Sequence, residues 1–517
     1  MTNSTVFRRT LANKMNVLVL SNHQIPKVSI QLWYNVGSKD EKSGEKGIAH
    51  LIEHMIFKGT TTLSESDINL ITHKLSGVCN AFTSHDYTGY LFDLPAQHWQ
   101  KALPIMSDCM QNSLFKEELL NSELKAVIQE LKMYNDDYTS TLIEEMLAAI
   151  FTGHPYRYPV IGYKRDLWSL KREALVRFYK QYYVPQNATL VIVGDVSPED
   201  AFHQAELHFA SIFNSTDIPQ RDFYFAQDLI GQSVTLYRDV QQPIGLVAWV
   251  VPGAHTRQDY VLDIASWILG SGKGSRLYAK LVEELELVTD VEAFVYDLFE
   301  YGLFFINFQP KDIAAIPTII QNINEEVQAL AQRPPTEKEI NRATKKTAMD
   351  FISLTESTQK QAYLLGKYYL ATGDENYLSN YINYPQDKLA HAVQDLAQQY
   401  LRPAVTHQGK VLPLPAQEQP FWLEIQERSD KEDARVLSRI TRETPVEEGV
   451  HVKTVTVEAP KPFDFPKAQK AMLSNGLEIL YYHNPVSPKI DLILDFKAKS
   501  YYDPENLQGL QAFMMDT

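Results

Sequence analysis

The sequence predicts a protein of several domains in which strands and helices alternate, and three observations support this. The chain has 517 residues, too many for one hydrophobic core and typical of roughly three or four domains. Runs rich in β-branched and aromatic residues are interleaved with helical patterns along most of the chain. In addition, the residues after position 467 repeat the beginning of the chain.

The bulk composition is that of a soluble protein and excludes several function classes. The net charge of -15, with no basic stripe, argues against a nucleic-acid partner. Two cysteines, Cys79 and Cys109, make neither a disulfide framework nor a thiolate metal site. No apolar run has the length of a membrane span, and no secretory signal follows the N-terminus, which favours a cytoplasmic protein.

The predicted elements follow one another from the N-terminus to residue 400. In the first part, strands are expected at 15–20, 28–36 and 188–193, a strand–turn–strand unit at 76–92, and helices at 47–58, 64–75 and 116–134. In the second part, strands are expected at 233–236 and 244–251, and helices at 260–269, 317–331, 337–353 and 388–400. The Pro-rich and charged residues 403–466 predict an extended connector.

The helix at 47–58 carries the strongest chemical signal. Its apolar residues recur at helical spacing, which places His50, Glu53 and His54 together on the other side. Two imidazoles four residues apart can point at one ion, with a carboxylate beside them, and H-x-x-E-H is the inverted form of a zinc motif. The alternative is a solvated helix face, but this face has no Lys or Arg before Lys58.

Two Glu residues of the helix at 116–134 are candidates for the missing third ligand. Glu123 and Glu130 lie two turns apart at the margin of the apolar stripe, where a carboxylate needs a partner such as a metal or a metal-bound imidazole. Composition alone favours the simpler interpretation of two surface acids. His85, in a predicted turn, is a further and weaker candidate, because most turn histidines are solvated.

Two glycine-containing segments are candidate binding elements. Small residues around Asn80 leave backbone groups accessible, as an edge strand that accepts an extended peptide requires, although most such hairpins have only a structural role. The run 270–274 lacks the Lys-Ser/Thr pair of a phosphate-binding loop, and close passage of backbone is the better explanation.

A repeat of the N-terminal pattern begins near residue 467. A constant offset aligns Asn475 with Asn13 and Gly509 with Gly47. The same offset places Ala512, Met515 and Asp516 on His50, Glu53 and His54, so the second copy lacks the metal chemistry. The chain stops within this second helix, which predicts that the sequence is a fragment.

Together these residues resemble the pitrilysin/insulinase family of zinc metallopeptidases, in its long single-chain form. The resemblance covers about residues 10–410 and resumes at about 467. The motifs that carry it occur in the family's order: His50-Leu51-Ile52-Glu53-His54, Asn80-Ala81-Phe82-Thr83, Glu123, Glu130, His154-Pro155-Tyr156, Pro159-Val160-Ile161-Gly162 and Tyr183-Val184-Pro185-Gln186-Asn187 before Gly194-Asp195.

The resemblance implies an α+β fold of tandem related domains, each a mostly antiparallel sheet with helices packed on it, forming one half of a clamshell. It divides the chain into a catalytic zinc-binding domain at 1–220, a second related domain at 221–410, a linker between halves at 411–466 and the start of an inactive, truncated repeat at 467–517. The sequence departs from the family's pattern in two places. Ser76-Gly77 stands where many members have paired glycines. The later half, which supplies an Arg/Tyr substrate-binding pair in long members, is absent.

The resemblance also implies a site and a function. One Zn²⁺ would be held by His50, His54 and Glu130, with Glu53 as general base. Glu123 would support a ligand histidine, and the substrate would lie along Asn80, Ala81 and Phe82. The expected activity is a zinc-dependent endopeptidase that hydrolyses peptides or small unfolded polypeptides, with these peptides and the missing C-terminal half of the chain as partners.

Two other functions stay open within the family. A non-catalytic member would bind peptides or act in assembly, but such members typically lose the H-x-x-E-H set that this chain retains. A processing peptidase of the subunit type would lack the repeat at 467. The family also has periplasmic members, and the sequence carries no signal for an oligomeric state.

Overall fold

The computed structural model describes residues 5–214, 217–219, 223, 225, 230–439, 452, 454–459, 467–484 and 489–495. These residues belong to two compact units, one within 3–466 and the other within 467–517. Among the described residues, no helix combines the length and the apolar character needed to cross a bilayer.

A six-stranded, mostly antiparallel sheet forms the first part of the larger unit. Its order is β1-β2-β6-β3-β5-β4, and only the β2–β6 pair is parallel. The strands are β1 (Val6–Thr10), β2 (Asn16–Ser21), β3 (Lys27–Tyr34), β4 (Val78–Thr83), β5 (Thr88–Pro95) and β6 (Ala188–Gly194). The interleaved helices are α1 (Ile48–Met55), α2 (Glu65–Lys74), α3 (Ala102–Asn112), α4 (Glu117–Asp136), α5 (Tyr138–Ile150), α6 (Lys164–Ser169), α7 (Arg172–Tyr182) and α8 (Pro198–Phe209).

The second part is built on a five-stranded sheet of order β7-β11-β8-β10-β9. Its strands are β7 (Ser233–Arg238), β8 (Ile244–Pro252), β9 (Val288–Tyr296), β10 (Tyr301–Pro310) and β11 (His407–Pro413). Its helices are α9 (Asp259–Leu269), α10 (Ile316–Gln332), α11 (Glu337–Leu354), α12 (Thr358–Thr372), α13 (Tyr377–Ile382) and α14 (Gln386–Tyr400). The order repeats β2-β6-β3-β5-β4 of the first sheet, again with one parallel pair, β7–β11.

Each part of the larger unit contributes one helix that packs on the sheet of the other part. Helix α12 packs on β3 and β6 of the first sheet, where Gly366 leaves room for the Trp33 ring: a Cβ on this glycine would lie 2.3 Å from it. Helix α5 packs on β7 and β11 of the second sheet, where a Cβ on Gly409 would lie 2.4 Å from the Met146 sulfur. Apolar side chains fill both contacts, so each half completes the core of the other.

The predicted α+β class of antiparallel sheets covered by helices is confirmed. The prediction of an extended connector at 403–466 is wrong in two places, because 407–413 form strand β11 and Gln419–Arg439 form helix α15. Asp433 of α15 is 2% exposed and forms ion pairs of 2.8 Å with Lys164 and 3.0 Å with Lys132. These pairs are tertiary contacts that composition does not reveal.

The smaller unit contains a hairpin of β12 (Gln469–Met472) and β13 (Glu478–Tyr481). Its pairing, from Gln469 with Tyr481 to Met472 with Glu478, has the same register as the β1–β2 pairing under the offset found in the sequence. The turns match too, since Gly476 and the equivalent Lys14 both have positive φ, 82° and 71°. The predicted second helix, with Ala512, Met515 and Asp516, lies outside the described residues.

Candidate metal centre

Helix α1 is fixed in the core at the point where the first sheet meets α4. Five of its apolar side chains are fully buried: Ile48, Ala49, Leu51, Ile52 and Met55. The helix begins after Gly47, whose φ of 93° and 2.6 Å Cβ clearance from the Ile161 carbonyl exclude a side chain. The buried Glu41 carboxylate accepts hydrogen bonds from the Gly47 and Ala49 amides at 2.9 and 3.0 Å, which occupies the N-terminus of the helix.

Helices α1 and α4 bring together three potential ligands, His50, His54 and Glu130, with donor atoms within 4.8 Å of one another. The Glu130 Oε2 atom lies 3.4 Å from His54 Nε2 and 3.7 Å from His50 Nε2. A tetrahedral zinc ion with ligands at about 2.0–2.1 Å separates them by about 3.3 Å, so the three side chains fit this ion. They are the only such group of metal-binding side chains in the described part of the chain.

Glu123 orients the His54 ring by contacting the nitrogen that does not face Glu130. Its Oε2 atom lies 3.3 Å from His54 Nδ1, and because a carboxylate can only accept, Nδ1 carries the hydrogen and Nε2 faces Glu130. The other Glu123 oxygen forms a 3.0 Å ion pair with Lys58. Burial works to lower the pKa of His54, but its hydrogen bonds with Glu123 and Glu130 raise it to about 9.

His50 is more buried than His54, with 8% of its surface exposed. Burial and the nearby His54 lower its pKa to about 4, which favours the neutral imidazole that a metal requires. Its Nδ1 atom is buried and has no hydrogen-bond partner among the described residues. His50 therefore lacks the supporting carboxylate that His54 has.

Glu53 projects from the same helix face and is held by Thr83 of strand β4. The Thr83 hydroxyl donates a 2.6 Å hydrogen bond to Glu53 Oε2. Burial raises the pKa of Glu53, while the hydrogen bond from Thr83 opposes that shift.

Strand β4 lies at the edge of the first sheet, beside α1. Asn80 is exposed, and its side-chain oxygen accepts a 2.9 Å hydrogen bond from the Ala81 amide. Ala81 packs on the core of the α1 side, whereas the Phe82 ring faces α12 and lies 4.8 Å from the Trp33 ring. The Phe82 side chain is thus on the opposite face of the sheet from Glu53, and only its backbone belongs to the edge near the metal site.

Several residues of the site were not found from the sequence, and one weaker candidate is excluded. Thr83 and Lys58 carry no local pattern that indicates a role in the site. Glu41 gives no signal either, because it reaches the first amides of α1 from the irregular loop that precedes the helix. His85 lies apart from the ligands: it is 3% exposed, and its ring packs against Tyr156 at 5.4 Å. It is a core histidine.

Comparison with known sequences identifies the family. The profile described as Insulinase (Peptidase family M16) matches residues 16–164, which hold the whole metal centre. The profile described as Peptidase M16 inactive domain matches residues 169–347. The chain belongs to the insulinase family of peptidases, M16. The family membership that its motifs predict is confirmed.

Relatives within the M16 family carry zinc-protease names. The zinc protease PqqE of Helicobacter pylori is 26% identical over 394 residues, or 75% of this chain and 87% of the relative. The uncharacterized zinc protease YmxG of Bacillus subtilis is 26% identical over 380 residues, or 73% of this chain and 91% of the relative.

Solved structures support the M16 fold. A protease from Helicobacter pylori superposes with a TM-score of 0.72 at 24% identity and covers 79% of this chain and 100% of that one. A peptidase M16 inactive domain from Pseudomonas fluorescens gives a TM-score of 0.70 at 17% identity, over 80% and 98% of the two chains.

Proposed function

We propose that this chain is a zinc-dependent endopeptidase that hydrolyses peptides or small unfolded polypeptides. The observation that carries the proposal is the convergence of His50, His54 and Glu130 around one point, with Glu53 on the same helix face. The zinc-protease names of the relatives support the choice of metal. One Zn²⁺ per first repeat would be bound.

The chain's own residues divide the chemistry between them. A bound zinc ion would supply Lewis acidity, which lowers the pKa of an attacking water from 15.7 to about 7 and withdraws charge from the peptide carbonyl. Glu53 would take the proton of that water and deliver it to the leaving amine. Thr83 would hold the Glu53 carboxylate in place, and Glu123 would keep His54 in the ligating tautomer.

The edge strand β4 suggests how a substrate is oriented. An extended peptide can pair with the outer side of β4 through backbone hydrogen bonds, which gives affinity without a strict sequence requirement. Asn80, Ala81 and Phe82 would contribute mainly backbone groups.

Two substitutions test the proposal by separating metal binding from proton transfer. Glu53→Gln should keep the zinc content of the wild type but lose most peptide hydrolysis, because the amide cannot act as a base. Glu130→Gln should lower the zinc content itself, because it removes a charged ligand. Bound zinc is measured by elemental analysis and cleavage with a mixed peptide library.

The same experiment tests the alternative of a non-catalytic peptide-binding member. That alternative requires wild-type protein that carries zinc but cleaves no peptide, and Glu53→Gln would then be silent. Full activity of Glu53→Gln would refute the role of Glu53, and wild-type zinc content in Glu130→Gln would refute its role as a ligand.

A further inference from the structure

The second part of the larger unit, built on the five-stranded sheet, contains a cavity of about 240 Å³ between α9, α11, α12 and α13. Its position corresponds to that of the metal centre in the first half. Helix α9 follows β8 as α1 follows β3, and α11 packs on α9 as α4 packs on α1. The strand orders of the two sheets match, so this correspondence follows from topology.

Carboxylates outnumber cations beside this cavity. Asp263 lines it and accepts a hydrogen bond from the Tyr381 hydroxyl, while Asp259, one turn earlier on α9, is 5% exposed. Lys367 forms a 2.8 Å ion pair with Asp297. Lys367 therefore faces three carboxylates, and burial raises the pKa of Asp259 and of Asp263 to about 7. The one other lysine beside the described cavity lining is Lys346, which acts on Asp350.

The walls suit an organic cation. Four aromatic rings line the cavity, those of Trp267, Phe351, Tyr368 and Tyr381, and no Lys or Arg is among its lining residues. Aromatic faces attract cations, and two of these rings already face lysines of the chain: Lys346 Nζ lies 5.7 Å from the centre of the Trp267 ring, and Lys367 Nζ lies 5.2 Å from that of the Tyr368 ring. The remaining apolar lining is aliphatic and comes from Leu354, Leu364 and Leu378.

An independent observation indicates a missing polar partner. The Thr347 side chain lines the cavity and is 4% exposed, yet its Oγ1 atom has no hydrogen-bond partner among the described residues. A buried hydroxyl without a partner is costly, and a ligand with hydrogen-bond donors would satisfy it. Asp350, which is exposed, adds a second carboxylate at the cavity wall.

We propose that this cavity binds a primary ammonium group carried on a short aliphatic chain. The ammonium would donate to Asp263 and Thr347, and its methylenes would pack on the leucines. Asp350 would face a second cation at the far end of a diamine. A metal ion suits the site less well, because no third metal-binding side chain joins Asp263 and Asp350 within the described residues.

Calorimetric titration of the full chain with 1,5-diaminopentane tests the proposal. The wild type should bind the diamine, and 1,5-pentanediol, which has the same length without charge, should not bind. Asp263→Asn should weaken binding by at least about tenfold, since a hydrogen bond to a charged group is lost. Thr347→Val, which keeps shape and removes the hydroxyl, should weaken it by about two- to tenfold.

The matched control is Asp395→Asn, which removes an exposed helical carboxylate that does not line the cavity and should bind as the wild type does. A lysine-containing peptide, titrated in the Glu53→Gln background to prevent cleavage, distinguishes a lysine side chain from a free diamine as the natural ligand. Because such a peptide is also expected to bind along β4, only the affinity that Asp263→Asn removes is assigned to the cavity, and the ligand with the larger loss identifies the source. The proposal is overturned if the wild type binds no diamine at millimolar concentration, binds the diol equally well, or loses no affinity in Asp263→Asn and Thr347→Val.

Discussion

Glu123 lies outside the ligand set but connects His54 to Lys58. Glu123→Gln should therefore reduce zinc affinity by about 10–100-fold, because the amide holds the His54 tautomer less firmly. Competition with a chelator of known affinity measures this change. Glu118→Gln, an exposed substitution on the same helix, is the matched control and should have no effect. Equal affinities for the two variants would contradict the supporting role of Glu123.

At the scale of residues, the sequence reveals what lies on one helix and hides what is brought from elsewhere. The spacing of His50, Glu53 and His54 is a property of the local helix, so it could be predicted. The role of Glu130 needed the family resemblance, because two helices must pack before it meets the histidines. The Thr83 contact with Glu53 depends on how β4 is placed against α1, which no local pattern encodes.

At the scale of elements, the N-terminus of α1 depends on the carboxylate of Glu41, in the loop that precedes the helix. Glu41→Gln replaces an acceptor oxygen with a donor facing a backbone amide, so it should lower stability by about 1–3 kcal/mol. It should also weaken zinc binding, because His50 lies in the first turn of this helix. Thermal unfolding and chelator competition measure the two effects.

The neighbouring helix α2 offers a control for that experiment. Ser64 caps it by accepting a hydrogen bond from the Asp67 amide at 3.1 Å. Ser64→Ala should lower stability by about 1 kcal/mol and leave zinc affinity unchanged, since α2 carries no ligand. If Glu41→Gln altered stability alone, in the same way, Glu41 would have no part in positioning the metal site.

Element prediction succeeded for the segments with the strongest periodicity and missed others. Helix α4 and strands β2 and β3 were predicted within a few residues of their bounds. Helices α5 and α12, the two that cross to the opposite sheet, were not predicted, and neither were α3, α6, α7, α8 and α13. A helical pattern cannot specify which sheet a helix will cover.

At the scale of the whole molecule, buried polar contacts join the halves. Asp86, fully buried in the turn after β4, forms a 2.8 Å ion pair with Lys39 and accepts hydrogen bonds from the Tyr156 hydroxyl at 2.7 Å and the Phe299 amide at 2.9 Å. This network explains the His154-Pro155-Tyr156 motif as a link between the sheets. With the exchanged helices, it predicts that the two halves unfold together.

The pH dependence of stability should reveal the raised pKa values of the buried acids in the second part of the larger unit. The folded-state pKa of Asp259 is raised to about 7, first by burial and then by Asp297, whereas an unfolded aspartate titrates near 3.9. Below about pH 4 Asp259 is protonated in both the folded and the unfolded state, and its favourable contribution to the free energy of unfolding is fully present. As the pH rises towards 7, only the unfolded state gives up its proton readily, so stability falls by an amount on the order of a few kcal/mol.

Thermal unfolding between pH 4 and pH 8 tests this dependence in the wild type and in Asp259→Asn. Because asparagine has no proton to lose and still accepts the Tyr377 hydrogen bond, the variant should lose less stability as the pH rises. The midpoint of the variant should therefore exceed that of the wild type more at pH 8 than at pH 5. Parallel curves for the two proteins would show that Asp259 ionises normally in the folded state, and that the charge around the cavity is already balanced.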